Sequence, residues 1–265
     1  MFVGKADRMT EMKRWLYTLM VLGATLAITT SAQETNLPPV DILLDQVLQR
    51  AKQEHANDRH FKTRYAYVRT RIKREFDGKG HVKKEETKQS RNNPVVVPTS
   101  YNPTPTVATP ISQTNQPQTA ASNRSFDKND FILNKDLLNR FDFTLIKRED
   151  FNGRPCFLID FKPTDKKLPC RNIKERFMSK AAGTVWIDEE DLVLAKTDLH
   201  LIDTVNVVGG LVGAVKKFNY TLARVRTPDG LWYADDVRWR LEGREIFSRK
   251  VMEYEETRSE VKKVR

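Results

Sequence analysis

Four consecutive acidic residues, Asp188 to Asp191, lie between two apolar stretches in the segment GTVWIDEEDLVLAKTDLHL. Carboxylates in a row could bind calcium or act as a catalytic pair. Calcium needs six or more oxygen ligands arranged around it, whereas neighbouring residues in a chain reversal project in different directions. Carboxylate catalysis needs two acids across a substrate-sized gap, and no pattern places Asp160, Asp188 or Glu190 opposite one another. We therefore interpret the tetrad as the solvated end of a β-hairpin.

Other catalytic and cofactor motifs give no stronger signal. The chain has no G-x-S-x-G nucleophile motif, and neither cysteine has a histidine neighbour in the sequence. The segment VGGLVG (208–213) lacks the spacing and the Lys-Ser/Thr ending of a phosphate-binding loop. The four histidines show no metal-ligand spacing with the cysteines. We predict no enzyme activity, no cofactor and no metal; an enzyme would need a cluster of perturbed acids in a pocket.

The two cysteines, Cys156 and Cys170, have 13 residues between them. In an oxidising compartment they could form a disulfide that closes a short loop, which is worth on the order of 3 kcal/mol. The alternative is two unpaired thiols. We predict the disulfide.

The N-terminus has the features of a secretory signal peptide. Lys13 and Arg14 precede a 14-residue apolar run, Trp15 to Ile28, and small residues lead up to a cleavage site near Ala32. An uncleaved membrane anchor is the alternative, although the run is shorter than the ~20 residues of a membrane span. We predict a signal peptide over residues 1–32 and a periplasmic location.

The chain is basic, with a formal net charge of +11. Residues 1–32 carry four basic and two acidic side chains, so the remainder keeps a surplus of +9. This surplus favours an anionic membrane surface as a partner, unless it is only spread over the surface as solvated charge. Export and the lack of any nucleic-acid-binding motif argue against nucleic acid.

Hydrophobic periodicity predicts a mainly β, α+β domain over residues 33–265. Helical spacing is found over 41–55, 133–141 and 172–183, with Asn172 as an N-cap and Gly183 as a stop. Period-two alternation predicts six to nine antiparallel strands joined by hairpins, with turns at 77–80, 152–153, 228–230 and 242–243. Residues 92–125 form a Pro-, Thr- and Asn-rich insert without charge until Arg124, which we predict to be flexible; a partner-binding segment is the alternative.

Apolar side chains at alternate positions would all point to one side of the predicted sheet. If the sheet is strongly curved and too wide for its helices to fill, they leave an apolar cavity; otherwise they form an ordinary core. The residues that we predict to line the cavity and bind a ligand are Phe157, Ile159, Val185, Ile187, Phe218, Tyr220 and Trp239.

Three segments give the C-terminal half a family resemblance. LLNRFDFTLIKREDFNGRPCFLIDFKP, GTVWIDEEDLVLAKTDLHL and DGLWYADDVRWRLEGREIF resemble the periplasmic lipoprotein carrier and outer-membrane lipoprotein-sorting (LolA/LolB-like) family, over residues 137–251. The resemblance implies a curved antiparallel sheet that forms an incomplete β-barrel, with two or three helices covering its concave face and an apolar cavity for acyl chains. An early-strand arginine of such carriers holds the helical lid; Arg64, Arg69 and Arg71 are available here.

These observations predict an exported protein that binds lipid or lipoprotein acyl chains by non-covalent burial in the hollow of the sheet. The alternative is an envelope sensor or scaffold of the same fold. That protein would engage a protein partner through the insert or through a sheet edge.

Overall fold

The computed structural model describes residues 37–94, 135–207, 213–246 and 248–264. The predicted signal peptide and cleavage site lie outside the described residues, as does the predicted insert beyond residue 94. No helix in the described ranges is long and apolar enough to span a membrane.

Ten antiparallel strands make up one sheet in the part of the chain that the structure describes. Nine of them follow the order β2-β1-β10-β9-β8-β6-β5-β4-β3, and β7 pairs with β8. The strands are β1 (Tyr65–Phe76), β2 (Val82–Asn92), β3 (Phe141–Phe151), β4 (Arg154–Pro163), β5 (Ala181–Asp188), β6 (Leu194–Leu201), β7 (Val205–Val207), β8 (Gly213–Arg226), β9 (Trp232–Glu245) and β10 (Ser248–Lys263). The outer strands β2 and β3 do not pair with each other, so the sheet is curved but not closed. The predicted fold class, an incomplete barrel of antiparallel strands, is confirmed.

Four short helices accompany the sheet within the described ranges: α1 (Val40–Ala51), α2 (Glu54–Arg64), α3 (Lys135–Leu138) and α4 (Ile173–Met178). The single helix predicted over 41–55 is in fact two, and the second runs on to the residue before β1. α2 has only two buried residues, Asn57 and Phe61, so its sequence offers no apolar period by which to recognise it. The predicted N-cap of α4 is correct, because Asn172 Oδ1 accepts a hydrogen bond from the Glu175 backbone N–H at 2.8 Å.

The helices α1, α2 and α4 pack on the concave face, each through its own cluster. Leu43 and Val47 of α1 lie on Phe157, Ile159 and Ile187. Phe61 of α2 stacks on Tyr67 and Tyr233, and Phe177 of α4 meets Phe218 edge to face at 5.0 Å. The convex face carries charged pairs on β1, β2 and β9, such as Arg74 with Glu85 and Arg238 with Asp236. On β4 and β5, however, Cys156, Leu158 and Trp186 alternate to that face and form a second buried apolar cluster with Trp232.

Two glycines that were predicted to end elements lie inside strands. A β-carbon on Gly183 would stand 2.0 Å from the Asp198 carbonyl oxygen, and one on Gly243 would stand 2.3 Å from the Ala214 carbonyl oxygen. Both glycines therefore permit close backbone approach between neighbouring strands. The predicted turn at 242–243 is wrong, since β9 continues to Glu245; the predicted turn at 152–153 is correct, with both residues at positive φ.

The predicted disulfide is absent from the structure, in which both cysteines are free. Cys156 is fully buried in β4, in a cluster with Leu158, Trp186 and Trp232, whereas Cys170 is exposed in the segment before α4. Burial, with the nearby Asp188 carboxylate, raises the pKa of the Cys156 thiol to about 11. Loop length alone suggested a bond, but the strand directs Cys156 into the core and away from its partner.

The packing of α1 on the sheet predicts that substitutions at two neighbouring residues, Ile42 and Leu43, differ strongly in their effect on stability. Leu43 is 1% exposed and Ile42 is 55% exposed. We expect Leu43→Ala to lower the free energy of unfolding by about 2–5 kcal/mol, because it leaves a cavity against β4 and β5. Ile42→Ala removes a similar side chain from the solvent side and should change it by less than about 0.5 kcal/mol. Urea unfolding followed by circular dichroism measures both values; equal losses would contradict this packing.

The two thiols should differ in reactivity. At pH 8 the native protein should take up one iodoacetamide label, at Cys170, because Cys156 is buried and its thiol stays protonated. After unfolding in urea without a reducing agent, we expect two labels per chain by intact mass. A chain that takes up no label in either state would show that the disulfide forms after all.

Candidate ligand-binding site on the concave face

The seven residues predicted to line a cavity do share the concave face. Phe157 pairs with Ile187 and Ile159 with Val185 across β4 and β5, and Tyr220 pairs with Trp239 across β8 and β9. Strand register connects the two groups through β6, because Thr197 pairs with both Val185 and Leu222. The alternation of these strands was therefore interpreted correctly. That the residues bind a ligand remains a prediction.

The first group is filled by the protein itself. Phe157 is 5% exposed, Ile159 0% and Ile187 3%, because α1 lays Leu43 and Val47 over them. Val185 lies at the border of the same cluster and is only partly buried. These four positions consequently belong to the core beneath α1, and a guest could reach them only if that helix moved away.

The second group is covered only at one end. Phe218 lies beneath Phe177 of α4 and is 7% exposed, whereas Tyr220 and Trp239 stay partly exposed. The next strand continues the row with Tyr254, whose ring stacks on Trp239 at 5.6 Å between centroids. We call the partly exposed apolar surface of these three strands the aromatic floor. It consists of Tyr220, Leu222, Trp239, Val237, Leu241 and Tyr254.

Sequence reasoning missed Tyr254 as a floor residue. In β10, Tyr254 lies between two charged residues, Glu253 and Glu255, which obscured the apolar alternation of the strand. The signal that could have identified it is the alternation of Met252 and Tyr254 with those acids, in register with Leu241 and Trp239 of β9.

A buried carboxylate lies beside the aromatic floor. Glu256 is 4% exposed and accepts hydrogen bonds from the Tyr254 hydroxyl at 2.8 Å and from Arg258 at 3.2 Å. Its Oε2 atom also lies 3.2 Å from Nε of Arg71 on β1. Burial and the Glu256 carboxylate raise the pKa of both Tyr254 and Tyr220 to about 12. Both phenols are therefore neutral hydrogen-bond donors at physiological pH.

The helical cover is fastened to the sheet next to the floor. Arg224 of β8 donates to the Glu54 carboxylate at the start of α2, at 2.7 Å. One turn later, the Asn57 side chain bonds to the backbone of Trp232 twice, accepting from its N–H at 2.9 Å and donating to its carbonyl at 2.6 Å. The early-strand arginines suggested by the resemblance make other contacts, since Arg69 bonds to Ser90 and Arg71 pairs with Glu256. The contact from a strand arginine to the cover thus comes from β8.

The acidic tetrad lies at the β5–β6 reversal, as predicted, but its four carboxylates are paired with arginines. Arg154 forms a bidentate pair with Asp188, at 2.6 and 2.8 Å, and also reaches Glu190. Arg148 pairs with Glu189 at 2.8 Å, and Arg226 pairs with Asp191 at 2.5 Å.

Burial of Asp188 corrects the interpretation of the tetrad as a solvated tip. The Asp188 side chain is 0% exposed, and its Oδ1 also accepts the backbone N–H of Asp191 at 2.7 Å. The Trp232 indole donates to Asp191 at 2.7 Å, which ties the reversal to β9. Within the described residues no group of three or more histidine, cysteine or acidic side chains could hold a metal ion. The carboxylates of the tetrad therefore stabilise the hairpin through ion pairs.

Two cavities among the described residues lie elsewhere. One of about 480 Å³ is bordered by α3, α4 and the segment between β4 and α4, with polar and charged side chains such as Asp136, Arg140, Arg171 and Glu175. A smaller one of about 140 Å³ adjoins it near Pro163 and Lys166. None of the six residues of the aromatic floor lines either cavity.

Among the comparisons with known proteins, only the comparison with solved structures gave matches. No family model matches the chain, and no curated protein matches it. A putative outer membrane lipoprotein-sorting protein domain from Vibrio parahaemolyticus is similar over 83% of this chain and 93% of its own, with 13% identity and a TM-score of 0.35. A LolA superfamily protein from Nitrosomonas europaea is similar over 84% and 93%, with 12% identity and a TM-score of 0.28. The MucA/MucB complex from Pseudomonas aeruginosa is similar over 82% of this chain and 94% of the matched chain, with 9% identity and a TM-score of 0.24.

The structural neighbours of the chain are lipoprotein-sorting and LolA-superfamily proteins, the family that the sequence resembles. The likeness extends over 82 to 84% of the chain. At 9 to 13% identity and these TM-scores it concerns the fold, and it does not identify a ligand or partner.

Proposed function

We propose that this protein acts in the periplasm and binds the acyl chain of a lipid or lipoprotein along the aromatic floor, without covalent chemistry. One observation carries the proposal. Six apolar side chains on three adjacent strands stay partly exposed, whereas α1 and α4 bury Phe157, Ile159, Ile187 and Phe218 on the same face. Contiguous exposed apolar surface on a sheet face is typical of a binding site.

The dimensions of the floor fit one extended chain. Three strands at about 4.8 Å spacing make it roughly 10 Å wide, and the positions Val237, Trp239 and Leu241 extend it by roughly 13 Å along β9. An extended segment of about ten methylenes has a similar length. At ~0.8 kcal/mol for each buried methylene, partial burial of such a chain supplies several kcal/mol after the cost of ordering it.

The geometry of the cover suits reversible binding. The floor residues are partly exposed, whereas α2 is fastened beside them by the Arg224–Glu54 and Asn57–Trp232 contacts. In this proposal the acyl chain enters and leaves without breaking those contacts. Deeper burial, at Phe157 and Ile159, would require that α1 be displaced from its cluster.

A protein partner at the sheet edge is the second candidate. The outer strands β2 and β3 are each 11 residues long and pair with only one neighbouring strand within the described ranges, so each could add a strand from another protein. The side chains of β2 are mostly exposed and charged, among them Lys83, Lys84 and Lys88, and lysine on an edge strand opposes such pairing. The floor is therefore the better supported site.

Two substitutions at adjacent positions on opposite faces test the acyl-chain proposal. Leu222 belongs to the floor, and Thr221 is exposed on the convex face. We expect Leu222→Gln to weaken binding of a neutral monoacylglycerol by about tenfold, because a polar amide replaces apolar contact area. Thr221→Gln should leave the affinity unchanged. Tryptophan fluorescence titration below the critical micelle concentration measures both dissociation constants.

Native mass spectrometry of the protein isolated from its own periplasm provides an independent check. A lipid adduct that disappears in Leu222→Gln and persists in Thr221→Gln supports the proposal. Equal monoacylglycerol affinities in the two variants would contradict it. A bare mass together with a co-eluting protein would support the sheet-edge candidate instead.

A further inference from the structure

The concave face of β1 and β2 is strongly basic next to the aromatic floor. Register places five basic side chains and two acidic ones on this face of the two strands. The five, which we call the basic wall, are Arg69, Arg71, Lys73, Lys84 and Lys88. The two acids are Glu75 and Glu86, and Glu86 is already paired with Lys88 at 2.6 Å. The wall therefore keeps a surplus of positive charge on the side where the floor lies.

Direct contacts join the basic wall to the floor. Arg71 of β1 pairs in register with Glu256 of β10, and Lys73 pairs with Tyr254. Tyr254 is the floor residue that stacks on Trp239. Its hydroxyl is close enough to Arg71 and Arg69 for both guanidinium groups to oppose the rise of its pKa. An apolar chain on the floor would thus end against positively charged side chains.

Two arginine N–H groups at this junction lack an acceptor. The Nε atoms of Arg71 and Arg258 are buried and make no hydrogen bond in the structure. Glu256 lies 3.2 Å from Nε of Arg71, but the geometry is that of an ion pair without an aligned hydrogen bond. Buried donors are nearly always satisfied in proteins, and the side chain of Arg258 is only 10% exposed. The side chain of Arg71, by contrast, is 38% exposed, so the rest of its guanidinium group stays accessible to an anionic acceptor.

The acidic side chains around Arg71 and Arg258 do not neutralise the positive charge of the basic wall. Glu256 faces Arg71 and Arg258 together, and Asp235 is the further acid whose charge interacts with Arg258. Two carboxylates thus stand against these two arginines. On the wall itself Glu86 lies opposite Lys73 and Glu75 lies opposite Lys84, so five basic side chains face two acidic ones. A carboxylate or phosphate group brought to Arg71 and Lys73 would gain charge-assisted hydrogen bonds.

We propose that the ligand of this protein is an anionic amphiphile, whose carboxylate or phosphate group binds to Arg71 and Lys73 while its acyl chain lies on the aromatic floor. The proposal rests on the acyl-chain function above and adds the chemistry of the headgroup. It also places one end of the chain, with the headgroup at β1 and the adjoining methylenes on Tyr254 of β10.

A comparison of two lipids with the same acyl chain tests the headgroup. Lysophosphatidic acid carries a phosphate, and monoacylglycerol of the same chain length does not. We expect lysophosphatidic acid to bind at least about tenfold more tightly at 0.15 M salt, which is the lower end of what one hydrogen bond to a charged group contributes. Inorganic phosphate at the same concentration should not compete, because it lacks the chain. Displacement by phosphate alone would show a simple anion site and overturn the proposal.

Adjacent residues of β1 supply matched variants. Lys73 lies on the wall, and Arg74, the next residue, lies on the convex face paired with Glu85. Lys73→Gln and Arg71→Gln should each reduce the preference for lysophosphatidic acid by at least threefold, whereas Arg74→Gln removes the same charge and should not change it. Because Arg71 faces the buried Glu256, melting curves accompany each variant, and Lys73→Gln decides the outcome if Arg71→Gln fails to fold.

The failures of the two proposals are distinguishable. If the wild-type protein binds both lipids equally, or if Arg74→Gln lowers the preference as much as Lys73→Gln, the headgroup site is wrong and the acyl-chain function stands. If neither lipid binds, the acyl-chain function itself is wrong.

Discussion

The structure depends on one geometric constraint: a wide antiparallel sheet has one largely apolar face and few helices to cover it. Period-two alternation sends Phe157, Ile159 and Ile187 of β4 and β5 to the same side as Phe218, Tyr220 and Trp239 of β8 and β9, and the sheet extends across nine strands from β2 to β3. Two helices of 11 and 12 residues and one of 6 cannot cover that width. The part of the concave face that the described helices leave partly exposed is the aromatic floor. The candidate site therefore arises from a mismatch between sheet width and helical cover.

The attachment of the cover determines where that exposed part lies. α1 is held at β4 and β5 by apolar packing of Leu43 and Val47, and α2 is held at β8 and β9 by Arg224 and Asn57. Both fasteners lie to one side of the row formed by Tyr220, Trp239 and Tyr254. The same alternation separates the charged side chains of the convex face from those of the concave face. The convex face pairs arginines such as Arg74 and Arg238 with acids of neighbouring strands, whereas the concave side of β1 and β2 keeps a basic surplus.

Much of the sheet could be predicted from the sequence, because strands with one dry face show their period directly. The register of Phe157, Ile159, Val185 and Ile187 follows from that alternation. Local sequence could not reveal long-range contacts: Arg154 and Asp188 are 34 residues apart, so the burial of an acid at a hairpin end gives no local sign. The polar helix α2 was missed for a related reason, since its anchor, Asn57, bonds to a residue 175 positions away. Gly183 and Gly243 appeared to be stops because a close approach between backbones and a chain reversal both select glycine.

The bond between Asn57 and Trp232 uses only main-chain atoms of β9. The amide of Asn57 imitates the paired N–H and C=O of an adjacent strand, so this helix is joined to the sheet much as one strand is joined to the next. This attachment therefore does not depend on which side chain stands at position 232 or at the floor positions further along β9, such as Trp239. Only Tyr233, which stacks on Phe61, ties the composition of this strand to the helix among these positions.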